Sequence, residues 1–346
     1  MNKNKKKLIV CDYPSKYTFP SFGFGSSEKR IWHFAKSVSE LDNFDVILTG
    51  PLWRPEYVPN ALYFKDRLNG DSIDNFLSKF GKADYLFAGH EYFDKDKYII
   101  PFLKAANKLI SYQLHPYKYK KKSFDAKTKH LFCYSEEMVE LYKEQKPHQA
   151  LLFHSGVDEN PYFTKIPKKY LVWIGRIDTD KSPHYAILAA KKLNIPIYIL
   201  GKTVYQPEYE KKYEDVLNLP IARKLGVVFG PQKMKIISEA LCAIYTIGSD
   251  YIEAGAGVLG EFIASGIPIA GMTWKGNDAV CAAVDNKNLG KVVKVNKKQS
   301  EDEITSKLAN SIKYCLSLDR KLVFNMGSDK FNPLKLVKNI LDIVDK

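Results

Sequence analysis

Three features of this 346-residue chain predict an α/β fold of two doubly wound, parallel-sheet domains. Short apolar runs without polar interleaving alternate with stretches of helical periodicity from one end of the chain to the other. Uninterrupted apolar runs suit parallel strands covered on both faces, and repeated strand-then-helix order favours right-handed crossovers between them. The second feature is a Pro- and Lys-containing break at 160–169, after which the strand–helix order restarts at Tyr170. The third is size. At roughly 100–200 residues per domain the length gives two domains, and a hydrophobic content of 45% supplies a core for each.

Strands are expected at 8–11, 46–48, 85–88, 109–112, 131–134, 170–175, 197–200, 227–229, 243–247 and 267–270. Helical spacing places Ile31, Phe34, Val38 and Leu41 on one face of a helix from about 26 to 40. Ile304, Leu308, Ile312 and Cys315 line a second helix, and Leu336, Ile340 and Ile343 a third. The domains expected are 1–160, 161–325, and a C-terminal helical segment, 326–346, packing back on the first. Ligand is expected where such sheets bind it, at the carboxyl ends of the strands.

Composition narrows the function. No apolar run reaches the roughly 18 residues of a membrane span, and the start, Met1 to Lys7, lacks the apolar stretch of a secretory leader. The five cysteines are scattered and mostly in apolar contexts, which predicts core residues of a cytoplasmic protein and neither a disulfide framework nor a zinc site. The formal charge of +14 admits nucleic acid, an anionic membrane face or a phosphorylated ligand.

The most informative segment is 252–269. It runs from an acidic residue, Glu253, through Ala254, Gly255, Ala256 and Gly257 into a helix carrying Glu261, then through Gly266 and Pro268 into a new strand. Small residues let the backbone approach a ligand, and the amides of a helix start attract phosphate or developing negative charge. Carboxylates accept hydrogen bonds from sugar hydroxyls. The plain alternative is a helix start with favourable acidic neighbours, and the spacing of the two glutamates alone decides nothing. In a second segment the strand Val172-Trp173-Ile174 leads to Gly175-Arg176 and on to Lys181-Ser182-Pro183. Ser182 reads as an N-cap with Pro183 at the first helical position. Arg176 and Lys181 are two cations able to neutralise a leaving diphosphate, or else incidental charges of a solvated loop.

Together these segments resemble the donor site of retaining family 4 glycosyltransferases of the GT-B fold, in their short bacterial form. The match rests on Glu253-x7-Glu261 with Ser265-Gly266-Ile267-Pro268-Ile269, and on Gly175-Arg176-x4-Lys181. The resemblance implies two Rossmann-like doubly wound domains facing a central cleft. It also implies retaining, metal-independent transfer from a nucleotide-diphosphate sugar, a UDP-sugar foremost, with no further cofactor. It assigns Glu253 to the donor sugar, Glu261 to the ribose, and Arg176 with Lys181 to the diphosphate, assisted by the amides of Gly255, Ala256, Gly257 and Val258. Phe22-Gly23-Phe24-Gly25-Ser26-Ser27-Glu28 resembles the family's Gly-Gly-x-Glu loop, which places Gly25 and Ser26 at the donor phosphate or the acceptor. His115 takes the place of the residue near the anomeric carbon, with His90 in reserve, and Phe153-His154-Ser155-Gly156-Val157-Asp158 resembles the family's interdomain hinge.

The chain departs from the family at Ala254-Gly255-Ala256, where Gly-Phe-Gly is usual, and at Ser26 and Ser182, where glycine is. No P-loop, nucleophile elbow, His-Glu-x-x-His, Cys-x-x-Cys or dinucleotide-binding Gly-x-Gly-x-x-Gly occurs in a fitting position. The acceptor stays open, and so do two rival readings: a GT-B epimerase or phosphorylase, and a non-catalytic binder of sugar nucleotides or lipid surfaces. Lys118, Lys120, Lys121 and Lys122, interleaved with Tyr117, Tyr119 and Phe124, suggest peripheral contact with an anionic membrane or an acidic glycan, or simply a solvated basic loop. No nucleic acid is expected.

Overall fold

The computed structural model describes residues 5–89, 92, 96–116 and 129–346. The chain forms two compact units, Met1–Gly156 with Pro333–Lys346, and Val157–Asn332. The boundaries therefore fall at Gly156 and Asn332, where the sequence suggested 160 and 325.

The first unit comprises β1 (Lys6–Cys11), α1 (Ser26–Ser39), β2 (Phe44–Thr49), β3 (Leu62–Phe64), α2 (Ile73–Phe80), β4 (Ala83–Gly89), α3 (Asp96–Ala105), β5 (Ala106–Tyr112), β6 (Lys129–Cys133), α4 (Glu136–Leu141) and β7 (His148–Gln149). Its strands form one parallel sheet in the order β3-β2-β1-β4-β5-β6-β7. Leu8, Ile9 and Val10 of β1 are fully buried, as the uninterrupted apolar run requires. On α1, Ile31, Phe34 and Val38 are solvent-free, and Phe34 stacks on Phe87 of β4 at 3.9 Å. Each such side chain contributes about 1.5–3 kcal/mol of burial energy.

The second unit comprises β8 (Leu171–Ile174), α5 (Pro183–Leu193), β9 (Ile197–Leu200), α6 (Pro207–Lys212), α7 (Glu214–Leu217), β10 (Ala222–Gly226), α8 (Gly230–Glu239), β11 (Cys242–Tyr245), α9 (Gly257–Ala264), β12 (Ile269–Thr273), α10 (Ala279–Ala283), β13 (Gly290–Lys294), α11 (Glu301–Leu316) and α12 (Arg320–Lys330). Its parallel sheet has the order β10-β9-β8-β11-β12-β13. The chain steps outward from β8 to β10, then returns to lay β11 on the free side of β8. That reversal opens a crevice beyond the carboxyl ends of β8 and β11. In the first unit the same reversal lies between β1 and β4.

Helix α13 (Pro333–Asp345) belongs to the first unit. Asp345 at its end accepts hydrogen bonds from Lys6 Nζ at 2.8 Å, Tyr85 OH at 2.5 Å and Lys108 Nζ at 3.3 Å. Its buried face is Val337, Ile340, Leu341 and Val344, one position on from the expected Leu336 and Ile343, which are only half-buried.

One expected strand is displaced. The apolar run at 227–229 is loop, and β10 uses Ala222–Gly226 immediately before it. β10 is an edge strand paired only with β9, so its charged residues Arg223 and Lys224 stay in water while its backbone completes the ladder. β3, β7 and β13, at the other sheet edges, were not expected: β3 and β7 are only three and two residues long, and β13 begins on glycine and ends on lysine. All five cysteines are free, and Cys281 alone among them is less than fully buried. No helix among the described residues is long and apolar enough to cross a membrane.

Candidate active site

The crevice of the second unit is built from the loops that follow β8 and β11. Close backbone approach holds them together. A Cβ on Gly248, after β11, would lie 2.3 Å from the carbonyl oxygen of Thr179, and one on Gly201, directly after β9, would lie 1.8 Å from that of Gly175 in the β8 loop. The amide of Gly248 donates to Asp180 O at 2.8 Å. Buried Trp173 donates from Nε1 to Thr246 Oγ1 at 2.9 Å, and Thr246 donates in turn to Lys181 O at 2.6 Å.

This frame brings Lys181 and Glu253 into direct contact. Both are buried, and Lys181 Nζ donates to Glu253 Oε2. Tyr245, the last residue of β11, closes the triangle: its hydroxyl accepts from Lys181 Nζ at 3.1 Å and donates to Glu253 Oε2 at 2.6 Å. Lys181 also lies 4.7 Å from the ring centroid of Tyr251. Burial works to lower the Lys181 pKa, but the Glu253 charge and the Tyr245 and Tyr251 oxygens outweigh it and raise the pKa well above the ordinary value. Burial, with Glu253 adding to it, raises the Tyr245 phenol well above its ordinary range. The ammonium is therefore held as a cation within the buried triangle.

Arg176 is not held against Glu253. Its guanidinium donates from Nε to Asp178 Oδ2 at 2.5 Å and from Nη2 to Asp180 Oδ2 at 2.7 Å. It lies 5.7 Å and 5.9 Å from the ring centroids of Tyr205 and Tyr251. Burial opposes the Arg176 charge, and the Asp178 hydrogen bond more than restores it. The two cations thus share the Tyr251 ring as a neighbour, Lys181 already carrying one carboxylate and Arg176 two.

Ser182 precedes Pro183 as expected but does not cap α5. Its hydroxyl donates to Thr179 O at 2.6 Å, and its backbone is left-handed with φ 44°. A left-handed backbone is the conformation in which glycine carries no steric cost.

Gly255, with φ 110°, turns the chain into α9. At the N-cap position Ala256 offers no side-chain hydrogen bond, and no acidic residue occupies the first turn. Leu259 N donates to Ala256 O at 3.2 Å, and a helix start with neither a side-chain cap nor an acidic residue suits an anion. The helix ends in a glycine-stop motif. Ile267 N donates to Phe262 O at 2.9 Å and Gly266 N to Ile263 O at 3.0 Å, with Gly266 at φ 77°.

Glu261, inside α9, accepts from Lys233 Nζ at 2.9 Å. Lys233 also donates to Glu159 at 2.5 Å, and Glu159 accepts from the Gly230 amide at the start of α8 at 3.0 Å. Sequence reasoning singled out neither Lys233 nor Glu159. A lysine among many and a glutamate in the segment before β8 carry no local signal, and only the fold brings them to Glu261.

In the first unit, Gly25 is left-handed at φ 96°, and a Cβ there would lie 2.5 Å from Ser21 Oγ and 2.9 Å from Glu28 Oε2. Ser26 Oγ and His154 Nε2 are 3.0 Å apart, so the histidine of segment 153–158 meets the start of α1. His115 lies three residues beyond β5, half-buried, with Nε2 3.4 Å from Ser27 Oγ. Thus the start of α1 gathers Ser26, Ser27, His115 and His154. His90 and Lys118, Lys120, Lys121 and Lys122 lie outside the described residues.

The reversal point of this unit is filled differently. Asp12, directly after β1 and fully buried, accepts from Leu52 N at 2.9 Å, Arg67 Nε at 2.9 Å and Nη2 at 3.2 Å, and Tyr92 OH at 3.2 Å. Gly50, at φ 114°, abuts this carboxylate; a Cβ there would lie 2.1 Å from it.

With both sheets and both reversal points placed, the chain can be set beside solved structures. The structure of AviGT4, a glycosyltransferase involved in avilamycin A biosynthesis, is similar with a TM-score of 0.71 at 15% identity, covering 98% of this chain and 97% of that one. Anabaena Alr3699/HepE, in complex with UDP and glucose, gives 0.67 at 13% identity over 98% and 99% of the two chains. A glycosyltransferase from Rickettsia africae gives 0.69 at 12% identity over 99% and 98%. The fold is GT-B. No protein-family profile and no curated protein matches the sequence. Among the described residues, no group of three or more His, Cys, Asp or Glu side chains is arranged to hold a metal ion.

Proposed function

We propose that the chain is a retaining, metal-independent glycosyltransferase that moves a sugar from a nucleotide-diphosphate sugar, UDP-sugar favoured, to an acceptor hydroxyl in glycan or glycolipid biosynthesis. The observation that carries this reading is the buried Lys181–Glu253–Tyr245 triangle at the reversal point of the second sheet, in the unit whose helix α9 starts without a side-chain cap. The likeness to the glycosyltransferase AviGT4, and to Anabaena Alr3699/HepE solved with UDP and glucose, supports it.

In this reading Lys181 exchanges Glu253 for the donor phosphate, and Glu253, released, accepts from hydroxyls of the donor sugar. Lys181 and the amides of Gly255, Ala256, Gly257 and Val258 stabilise charge on the leaving oxygen. Arg176 adds to that field once Asp178 and Asp180 share it with the diphosphate. Glu261 accepts from the ribose. With front-face retention, the leaving phosphate oxygen takes the acceptor proton as the new glycosidic bond forms and the old one breaks. His115, Gly25 and Ser26 are assigned to the acceptor and to the transferring centre. Glu28 stands in the first turn of α1 beside Gly25, so a hydroxyl-bearing ligand suits that turn better than a phosphate does. Peripheral contact with an anionic membrane through Lys118, Lys120, Lys121 and Lys122 is part of the proposal, and flotation with anionic vesicles at low salt tests it.

The test is transfer from a panel of nucleotide sugars by the intact chain, with and without chelator, and with Arg176→Ala, Lys181→Ala and Glu253→Gln beside it. Transfer lost in the variants, with the donor's anomeric configuration kept in the product, supports the reading. Unchanged transfer in all three variants refutes the site. Turnover without any acceptor points to an epimerase, and donor binding without turnover to a non-catalytic binder.

A further inference from the structure

Two carboxylates and one ammonium lie buried together in the second unit, far along the chain from one another: Glu159, Lys233 and Glu261. Lys233 Nζ is 2.5 Å from Glu159 Oε2 and 2.9 Å from Glu261 Oε1. Glu159 is itself anchored, since its other oxygen accepts from the amide of Gly230. Gly230 opens α8 in a left-handed conformation (φ 63°), and Lys233 projects from the first turn of the same helix. The links therefore run from the first residues of the second unit, through the start of α8, to a carboxylate on α9.

A buried three-membered set of this kind is a poor way to gain stability, because desolvation of the charges offsets most of their attraction. It is a good way to fix where a carboxylate points. A glutamate side chain has three rotatable bonds, and Glu261 extends from a helix whose neighbours are mostly apolar: Leu259, Phe262 and Ile263 are all fully buried. Held by an ammonium that is itself held by a helix-anchored glutamate, the Glu261 carboxylate is fixed in orientation. Burial acts to lower the Lys233 pKa, but the charges of Glu261 and Glu159 overcome it and raise it, so the ammonium persists across the neutral range.

We infer that Lys233, clamped by Glu159, is a positioning residue that sets the Glu261 carboxylate for the ribose diol and so makes the donor site select ribonucleotides over deoxyribonucleotides. This rests on the proposed assignment of Glu261 to the ribose, and the two are separable by experiment.

Calorimetric affinities of the intact chain are measured for UDP and GDP, each against its 2′,3′-dideoxy counterpart, and the ratio is followed in Lys233→Gln and Glu159→Gln. The ratio is indifferent to any loss of folded protein, which lowers the apparent stoichiometry for both members of a pair. The wild type is expected to favour the ribonucleotide by about tenfold or more, the scale of a hydrogen bond to a charged group. Lys233→Gln brings the ratio close to one, and Glu159→Gln, which keeps the ammonium but loosens it, reduces it about threefold. A wild type that favours the ribonucleotide while both variants keep its full ratio overturns the inference and leaves the Glu261 assignment standing. A wild type that binds both members of each pair equally, or binds neither nucleotide, overturns the Glu261 assignment and the inference with it.

Discussion

The two reversal points of this molecule have the same topology and opposite chemistry. In the first unit, the position after β1 holds one carboxylate, Asp12, on which a bidentate arginine, an amide and a phenol all converge. Burial raises its pKa while these donors, Arg67 foremost, pull it down. Exchanging any of them for a ligand would leave a buried carboxylate short of donors, so this is a structural knot. In the second unit, a lysine and a glutamate from different loops neutralise one another beside helix amides that no side chain caps. An anion can take the lysine and a hydroxyl the glutamate without stranding either. A doubly wound sheet thus offers a binding place at its reversal, and the residues filling it decide whether that place is used.

The largest effect expected from breaking this difference is on chemistry. Glu253→Gln lowers kcat/KM for transfer by about a hundredfold or more, as loss of a hydrogen bond concentrated on the transition state does. Asp12→Asn leaves the nucleotide affinity of the folded protein unchanged. Instead it destabilises the first unit, and Gly50→Ala does the same by driving a methyl group into the Asp12 carboxylate; each is expected to cost about 2–4 kcal/mol in denaturant unfolding. If Asp12→Asn weakens nucleotide binding at full folding, the contrast between the two ends fails.

Acid sharpens the comparison. Burial pushes His33 in the first unit and His184 in the second down to about 3. Each is neutral when folded and protonated near its ordinary 6.5 when unfolded. The stability they confer is therefore complete above pH 6.5 and is lost as pH falls from 6.5 toward 3. At pH 5 the loss is about 1–2 kcal/mol for each, with Glu301 Oε2, 3.7 Å from His184 Nε2, softening the second. Urea unfolding from pH 7 to 5 should show this decline, and His184→Phe should flatten it for the second unit alone. The smallest effect is at Ser182. Glycine relieves its left-handed backbone and gives up the hydrogen bond to Thr179, so Ser182→Gly changes the melting temperature by no more than the equivalent of about 1 kcal/mol.

Much of the second unit was legible in the sequence. Its central strands are uninterrupted apolar runs, its helix stop is written in Gly266, and the turn into α9 in Gly255 and Gly257. Edge strands were not legible, because β10 is polar and its apolar successor at 227–229 imitates a strand. The helix face of α13 shifted by one position because Leu336 and Ile343 are as apolar as the residues actually buried. At the site, the sequence indicated Lys181 and Glu253 but not that they meet, nor that Tyr245, which as the end of an apolar run reads as core, bonds to both. It also offered Arg176 as a free cation, where Asp178 and Asp180, two and four residues on, take its guanidinium. Lys233 and Glu159 left no mark in sequence at all, since their roles exist only in three dimensions.

The central claim is that the reversal point of the second sheet, and not that of the first, receives a nucleotide diphosphate. Hydrogen exchange of the intact chain with saturating UDP, and in parallel GDP, tests this most directly. The account predicts slowed exchange at the amides of residues 255–260 and 176–182 with one of the two nucleotides, and no change at residues 12–16 or 50–53. Exchange unchanged at 255–260 with both, or protection confined to 12–16 and 50–53, would contradict it.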